Sequence, residues 1–257
     1  MTDALPSHAE ASVFTPVRSP RAFEEITAQI RALVANGRLR PGDRLPAERD
    51  LAARLGVSRN TLREALRSLE ISGLLALRKG SSGGSFIVPG NGDVVVNGLR
   101  DLFYLGAITP TQLTEARVWI EEIVIRVACE RATDEDFAAL DDNIADAERA
   151  LASGDFVLRA ELHVEFHSLL ARATHNPVLA ITMEGMLAIV RQFVARIGFH
   201  ENDYTLPSRR RFMPLLRARD VGGARSEMHE HLEQIHQVYL SKLDAAVVIS
   251  ATPPGKP

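Results

Sequence analysis

Residues 45–75, LPAERDLAARLGVSRNTLREALRSLEISGLL, encode two short amphipathic helices with almost nothing between them. Pro46 opens the first, at a position where a missing N–H costs little. Leu51, Ala52 and Leu55 form its apolar stripe, and Gly56 ends it. Val57 is expected to be buried in the turn, and Ser58 carries the oxygen to cap the second helix. Leu62, Ala65, Leu66 and Leu69 then recur at helical spacing, which leaves Arg59, Asn60, Arg63 and Arg67 facing outward. A helix, a Gly-containing turn and a helix with arginines near its start make a helix-turn-helix.

Working outward, AFEEITAQIRALVANG (22–37) repeats Phe23, Ile26, Ile30, Leu33 and Val34 and stops at Gly37, predicting a helix in front of the motif. Behind it, LLALRKGSSGGSFIVPG (74–90) predicts two short strands around a Gly/Ser tip, a β-hairpin wing with Lys79 at its turn. After residue 90 the strand signals stop. Helical patterns follow one another to the mid-240s, including TPTQLTEARVWIEEIVIRVACERA (109–132), where Leu113, Ala116, Ile120, Ile123 and Val127 are expected inward. Thr133 is expected to cap the next helix, and Asn176, followed by Pro177, a later one. The expected fold is mainly α: a winged helix-turn-helix joined to an all-helical bundle. The expected divisions are a flexible arm over 1–20, the DNA-binding head over 21–90, a linker and first helix over 91–108, a helical domain over 109–245 and a flexible tail over 246–257.

Composition narrows the class. Residues 1–90 hold 13 Lys and Arg against 9 Asp and Glu, while the remainder holds 17 against 24. A basic front on an acidic body suits contact with a polyanion at the front alone. Cys129 is the single cysteine, which excludes an intramolecular disulfide framework and a cysteine-based zinc site. The N-terminal stretch lacks the apolar segment of a signal peptide, and no apolar run approaches membrane-spanning length. A cytoplasmic protein without membrane association is expected.

One stretch suggests different chemistry. HVEFH (163–167) puts His163 and His167 one above the other on a helix, a spacing at which two imidazoles can share a metal. The zincin pattern H-E-x-x-H needs its glutamate next to the first histidine. Here Glu165 is two places on, turned by about 200° to another face. No G-x-S-x-G elbow, P-loop or dinucleotide fingerprint occurs either. A metal-dependent hydrolase is thus disfavoured, and a ligand-free architectural DNA binder would not need so large an acidic helical body.

The stretch 45–75 resembles the DNA-binding head of GntR-family transcription regulators, in particular the FadR branch. LTEARVWIEEIVIRVACERATDEDFAAL (113–140), EFHSLLARATHNPVL (165–179) and ARSEMHEHL (224–232) resemble the FCD effector domain of that branch. The resemblance covers roughly residues 20–245. It implies a ligand-responsive regulator, expected to repress a metabolic operon, acting as a homodimer on an inverted-repeat operator in double-stranded DNA. Arginine's planar fork can grip guanine or a phosphate, and helix N-termini meet phosphates. By resemblance Arg49, Arg59 and Arg63 read bases, Ser58, Asn60 and Thr61 hold the backbone, and Lys79 and Gly80 reach the minor groove. Arg67 sits a turn too far along to be included.

The resemblance also implies an effector site in the helical body. The domain's common metal ligands are an aspartate and three histidines, in a pattern that falls here on His163, His167, Arg209 and His231. Arginine cannot ligate a cation. Two arrangements stay open. His163, His167 and His231 hold a zinc or nickel ion with an anionic effector bridging to Arg209, or the metal is lost and Arg209 binds a carboxylate or phosphate directly. Arg117 matches an arginine of the effector cavity, although an ion pair with Glu121 one turn on would explain it equally well. The effector class implied is a small organic or sugar acid; an acyl-CoA-type or metal-responsive regulator is the alternative. His175, His200, His229 and His236 read as ordinary surface or packing residues.

Overall fold

The computed structural model describes residues 21–80, 83–90, 92–197 and 204–250. The expected arm, the wing tip at 81–82, His200 and the last seven residues lie outside the described residues. The chain divides into two compact units, Met1–Asn91 and Gly92–Pro257.

In the first unit, α1 (Arg21–Ala35), α2 (Glu48–Leu55) and α3 (Arg59–Ile71) precede a hairpin of β1 (Leu75–Arg78) and β2 (Gly84–Ile87). The strands are antiparallel, with Leu75 opposite Ile87 and Arg78 opposite Gly84. Ile26 and Ile30 of α1, Leu62, Leu66 and Leu69 of α3, and Leu75 and Ile87 of the wing share one core. Gly56 closes α2 at φ +65°, in the left-handed region where a side chain is strained, so the chain turns directly into α3. Ser58 caps α3 as expected, its Oγ accepting from Thr61 N at 3.1 Å.

Two local expectations need correction. Pro46 does not open α2, whose first helical residue is Glu48. The preceding segment is extended instead: Arg44 bridges to Phe86, and Leu45 N–H donates to Ser85 O at 2.8 Å. The backbone there is committed to the wing, so the helix starts later. Val57 is half-buried, not buried.

The second unit holds α4 (Asp93–Tyr104), α5 (Pro110–Arg131), α6 (Asp134–Ser153), α7 (Phe156–Arg172), α8 (Pro177–Ile197), α9 (Thr205–Arg217) and α10 (Val221–Ser250). Its core is separate from that of the first unit. Reciprocal capping boxes start α5 (Thr109 with Gln112) and α6 (Thr133 with Asp136). Asn176 Oδ1 accepts from Val178 N at 3.0 Å at the start of α8. α7 packs on α6 and α8, and α10 packs on α5 and α9. The tail expected from residue 246 begins inside α10, which stays helical to Ser250. The buried face of α5 also differs from expectation. Leu113, Arg117, Glu121, Val124 and Ala128 are buried, whereas Ile123 is exposed.

Candidate functional sites

The first unit presents a cationic groove. Arg59, Asn60, Arg63 and Arg67 stand on the exposed side of α3, opposite its apolar stripe. Arg49, on α2, is exposed and pairs with Asp50 at 3.2 Å. Arg63 lies 3.8 Å from Glu48, an exposed pair that water screens. The Ser58 and Thr61 hydroxyls are 2.8 Å apart at the N-terminus of α3. Between α3 and the wing, Arg44, Arg63, Arg67, Arg78 and Lys79 line one groove with Glu48 and Glu70. Sequence reading missed Arg44 and Arg78. Both guanidinium groups lie over the Phe86 ring, 5.8 and 4.6 Å from its centroid, and Arg44 donates to Gly83 O. In the sequence Phe86 stands apart from any cation, and it is the hairpin register, Ala76 opposite Phe86 and Arg78 opposite Gly84, that brings the ring beside the Arg78 guanidinium. Gly80 has φ +103°, a conformation that glycine suits, and its carbonyl accepts from Gly83 N.

The second unit contains a buried polar cluster drawn from four helices. α5 supplies Arg117 and Glu121, α7 supplies Arg159, His163 and His167, α9 supplies Arg209, and α10 supplies His231. All but the half-buried His163 are buried, Arg209 and His231 to 1% exposure. Burial on this scale requires partners for the charges. The chain of contacts is short. Glu121 Oε1 is 2.6 Å from His167 Nδ1, and His167 Nε2 is 2.7 Å from Arg209 Nη2. The same Nη2 is 3.3 Å from His231 Nε2. A guanidinium only donates, so both Nε2 atoms accept, and the protons of the two neutral rings sit on Nδ1. His167 Nδ1–H therefore donates to Glu121. Arg209 also lies over the Phe166 ring, 4.0 Å from its centroid, and Nη1 faces the Met228 thioether at 3.5 Å. Arg159 Nε donates to His163 Nε2 at 3.3 Å.

The electrostatics follow from burial. Burial pushes the Glu121 carboxyl up to about 7, against the pull of Arg117 and Arg209. Burial, then Arg209 and Arg159, drive His163 down to about 3. His167 and His231 are held well below the ordinary histidine value by burial and then by neighbouring cations, Arg117 and Arg209 for His167 and Arg209 first for His231. All three rings are neutral at pH 7. Burial lowers Arg209 to about 9, Glu121 opposing, which leaves it charged at neutral pH.

Several buried atoms in the cluster have no hydrogen-bond partner: Arg117 Nε, Arg209 Nε, His231 Nδ1 and Glu121 Oε2. Three are donors and one is a carboxyl oxygen. Two guanidinium charges, of Arg117 and Arg209, also face the one buried carboxyl of Glu121. The cluster has an excess of donors and of positive charge, the complement of an acceptor-only anion.

The residues do not fit a resident metal ion. The lone pairs of His167 and His231 that a metal would take already accept N–H donors from Arg209. Among the described residues no group of three or more His, Cys, Asp or Glu side chains is placed to hold one. Glu165 points elsewhere, to ion pairs with Arg172 and, at 3.6 Å, Arg191, so it serves no metal-bound water. His175 pairs with Asp136 at 2.7 Å, and His229 with Glu233 at 3.3 Å, outside the cluster. His236, half-buried, belongs to a separate surface groove between α5 and α10. Sequence reading missed Glu121 as a site residue and Arg159 altogether. Arg159, His163 and His167 recur every four residues, which was the available signal.

Comparison with known proteins agrees with both halves. Residues 22–84 match the model of bacterial regulatory proteins of the gntR family, and residues 112–234 match that of the FCD domain. The chain is 33% identical over 228 residues to the "Putative L-lactate dehydrogenase operon regulatory protein" of Escherichia coli (strain K12), covering 84% of this chain and 85% of that protein. It is 29% identical to the Uxu operon transcriptional regulator of the same organism, covering 84% and 86%. Among solved structures, Streptococcus agalactiae GntR superposes with a TM-score of 0.58 at 24% identity, covering 84% of this chain and 99% of that one, a likeness of fold. No helix among the described residues is long and apolar enough to cross a membrane.

Proposed function

Since the chain belongs to the gntR family of DNA-binding transcription regulators, with an FCD domain behind its head, we propose that it represses a metabolic operon until a small carboxylate enters the Arg209 cluster. It is a ligand-responsive regulator and not an enzyme. The observation that carries the effector class is the surplus in the second unit. Three buried donors lack acceptors, and two guanidinium groups face one carboxyl. A carboxylate brings acceptors and a negative charge together, and an orphaned buried donor costs about 1–3 kcal/mol until it is paired. Arg117 and Arg209 are the effector-binding residues in this reading, with His231 Nδ1–H as a third donor. The names of two relatives, regulators of a lactate dehydrogenase operon and of the Uxu operon, agree with control of metabolism.

On the DNA side, Arg49, Arg59 and Arg63 read bases, Ser58, Asn60 and Thr61 hold phosphates, and Lys79 and Gly80 enter the minor groove. Arg44 and Arg78 add charge beside them. One head offers one recognition helix, so a homodimer on an inverted repeat supplies the second half-site. The protein acts in the cytoplasm, where the DNA is. The competing reading keeps a zinc or nickel ion on His163, His167 and His231. Their neutral rings favour it, and the two Nε2 atoms already engaged by Arg209 oppose it.

The test is a thermal-shift screen of small carboxylic acids on the wild type and on Arg209→Ala, with hits carried into mobility shifts on a duplex selected from a random pool. At least one acid should raise Tm in the wild type alone and weaken its hold on the DNA. Failure of every acid on the wild type, or equal shifts in both proteins, would sink the effector assignment.

A further inference from the structure

His167 and His231 aim their Nε2 lone pairs at one point, and a guanidinium nitrogen fills it. Arg209 Nη2 lies 2.7 and 3.3 Å from the two atoms, hydrogen-bond distances rather than the roughly 2.0–2.1 Å of metal coordination. The surroundings otherwise have the form of a metal site. Both rings are neutral and so have a lone pair to give. Glu121 accepts from His167 Nδ1–H, the carboxylate–imidazole backing that orients a ligating histidine and makes it more basic. His163 lies one turn before His167 on the same face of α7. Arg209 has no room to leave, being 1% exposed and held between the Phe166 ring and Met228.

We propose that the Arg209 guanidinium stands in for a metal cation, so that the pocket carries its positive charge as part of α9, works without metal, and becomes a divalent-metal site when Arg209 is exchanged for histidine. The carboxylate then meets this fixed cation directly, through donors that the imidazoles leave over. Among the described residues Arg209 Nε has no hydrogen-bond partner, and Nη1 faces the Met228 thioether. A guanidinium keeps its charge whatever metal is at hand, so the response to the acid is independent of metal supply. The inference rests on the effector reading only for the identity of the anion. Its metal half stands on the convergence of two imidazoles upon one cation.

The experiment uses untagged full-length protein, purified without chelator or metal column. Metal content is measured by mass spectrometry after dialysis, and zinc and nickel are titrated calorimetrically into the wild type, Arg209→His and Arg209→Met. The wild type should hold no stoichiometric metal, and its Tm should ignore EDTA. Arg209→His should take up one equivalent, on the order of 100-fold tighter than the wild type, and zinc should raise its Tm. Arg209→Met, with a neutral chain and the three imidazoles kept, should fall between them. One equivalent in the wild type, lost to EDTA together with thermal stability, would overturn the proposal. So would an Arg209→His protein with native circular dichroism that binds no more tightly than the wild type. If Arg209→His does not fold, the wild-type metal content and titration decide alone. An acid screen without hits would end the effector reading and leave these metal outcomes as they are.

Discussion

Arg63 and Arg209 carry the same guanidinium, and their surroundings give them opposite tasks. Arg63 is 55% exposed, with one loose contact to Glu48 at 3.8 Å. Its donors are free for a base edge or a phosphate, and losing the contact costs the fold little. Arg209 is enclosed, and two of its N–H groups are committed to imidazoles. Arg63→Ala should therefore weaken specific operator binding by on the order of 1–3 kcal/mol while unfolding stability moves by less than ~0.5 kcal/mol. Mobility-shift titration against the selected operator, beside urea unfolding, separates the two. Equal affinity for the selected and a scrambled duplex in both proteins would remove Arg63 from base reading.

At the scale of elements, α5 marks where the sequence stops being legible. The head could be read because its helices obey the rules together: apolar spacing, Gly56 as a left-handed stop, Ser58 as a cap. α5 breaks them. Its inward face includes Arg117 and Glu121, so the apolar residues alone pointed to a stripe that took in Ile123, which is exposed. Charges on a core face are paid for by the cluster around them, and sequence pattern does not encode that cluster. His163, His167, Arg209 and His231 were named together only because a family pattern aligned them. That Arg209 sits between His167 and His231 depends on how α7, α9 and α10 pack.

The imbalance on α5 has a mechanical consequence. Glu121→Ala removes the buried carboxyl of the cluster and leaves Arg117, Arg209 and His167 Nδ1–H without it, which should cost roughly 3–5 kcal/mol. Arg117→Met removes a surplus charge of similar length and should leave the ligand-free stability within about 1 kcal/mol of wild type. It should also reduce the Tm gain from any acid that binds. Chemical unfolding of both variants measures the asymmetry. Equal losses would mean that Arg117 is compensated in the fold and is no part of a surplus.

At the scale of the molecule, the cluster sets how stability responds to acid. His163, His167 and His231 have folded-state values below the ordinary 6.5, His163 at about 3. A base with a lowered value binds fewer protons folded than unfolded, so its contribution to stability grows as pH rises towards 6.5. Glu121 works the other way. Raised from 4.5 to about 7, it holds a proton in the fold that the unfolded chain has released, and its contribution falls across that interval. Below pH 6.5 three bases oppose one acid, so the unfolded chain binds more protons than the fold. Stability should therefore climb as pH rises towards neutrality and level off there. The two units have separate cores, so their transitions need not coincide. The chain's one tryptophan, Trp119, lies on α5, and its fluorescence follows the unit that contains the cluster. Urea unfolding followed at Trp119 at about pH 5, 6 and 7 should give a rising midpoint, and a head signal with a weaker slope. A Trp119 midpoint that is flat or falls over that range would mean that the three imidazoles are not kept neutral by the fold, and the hydrogen bonds they accept from arginine would have to be abandoned with it.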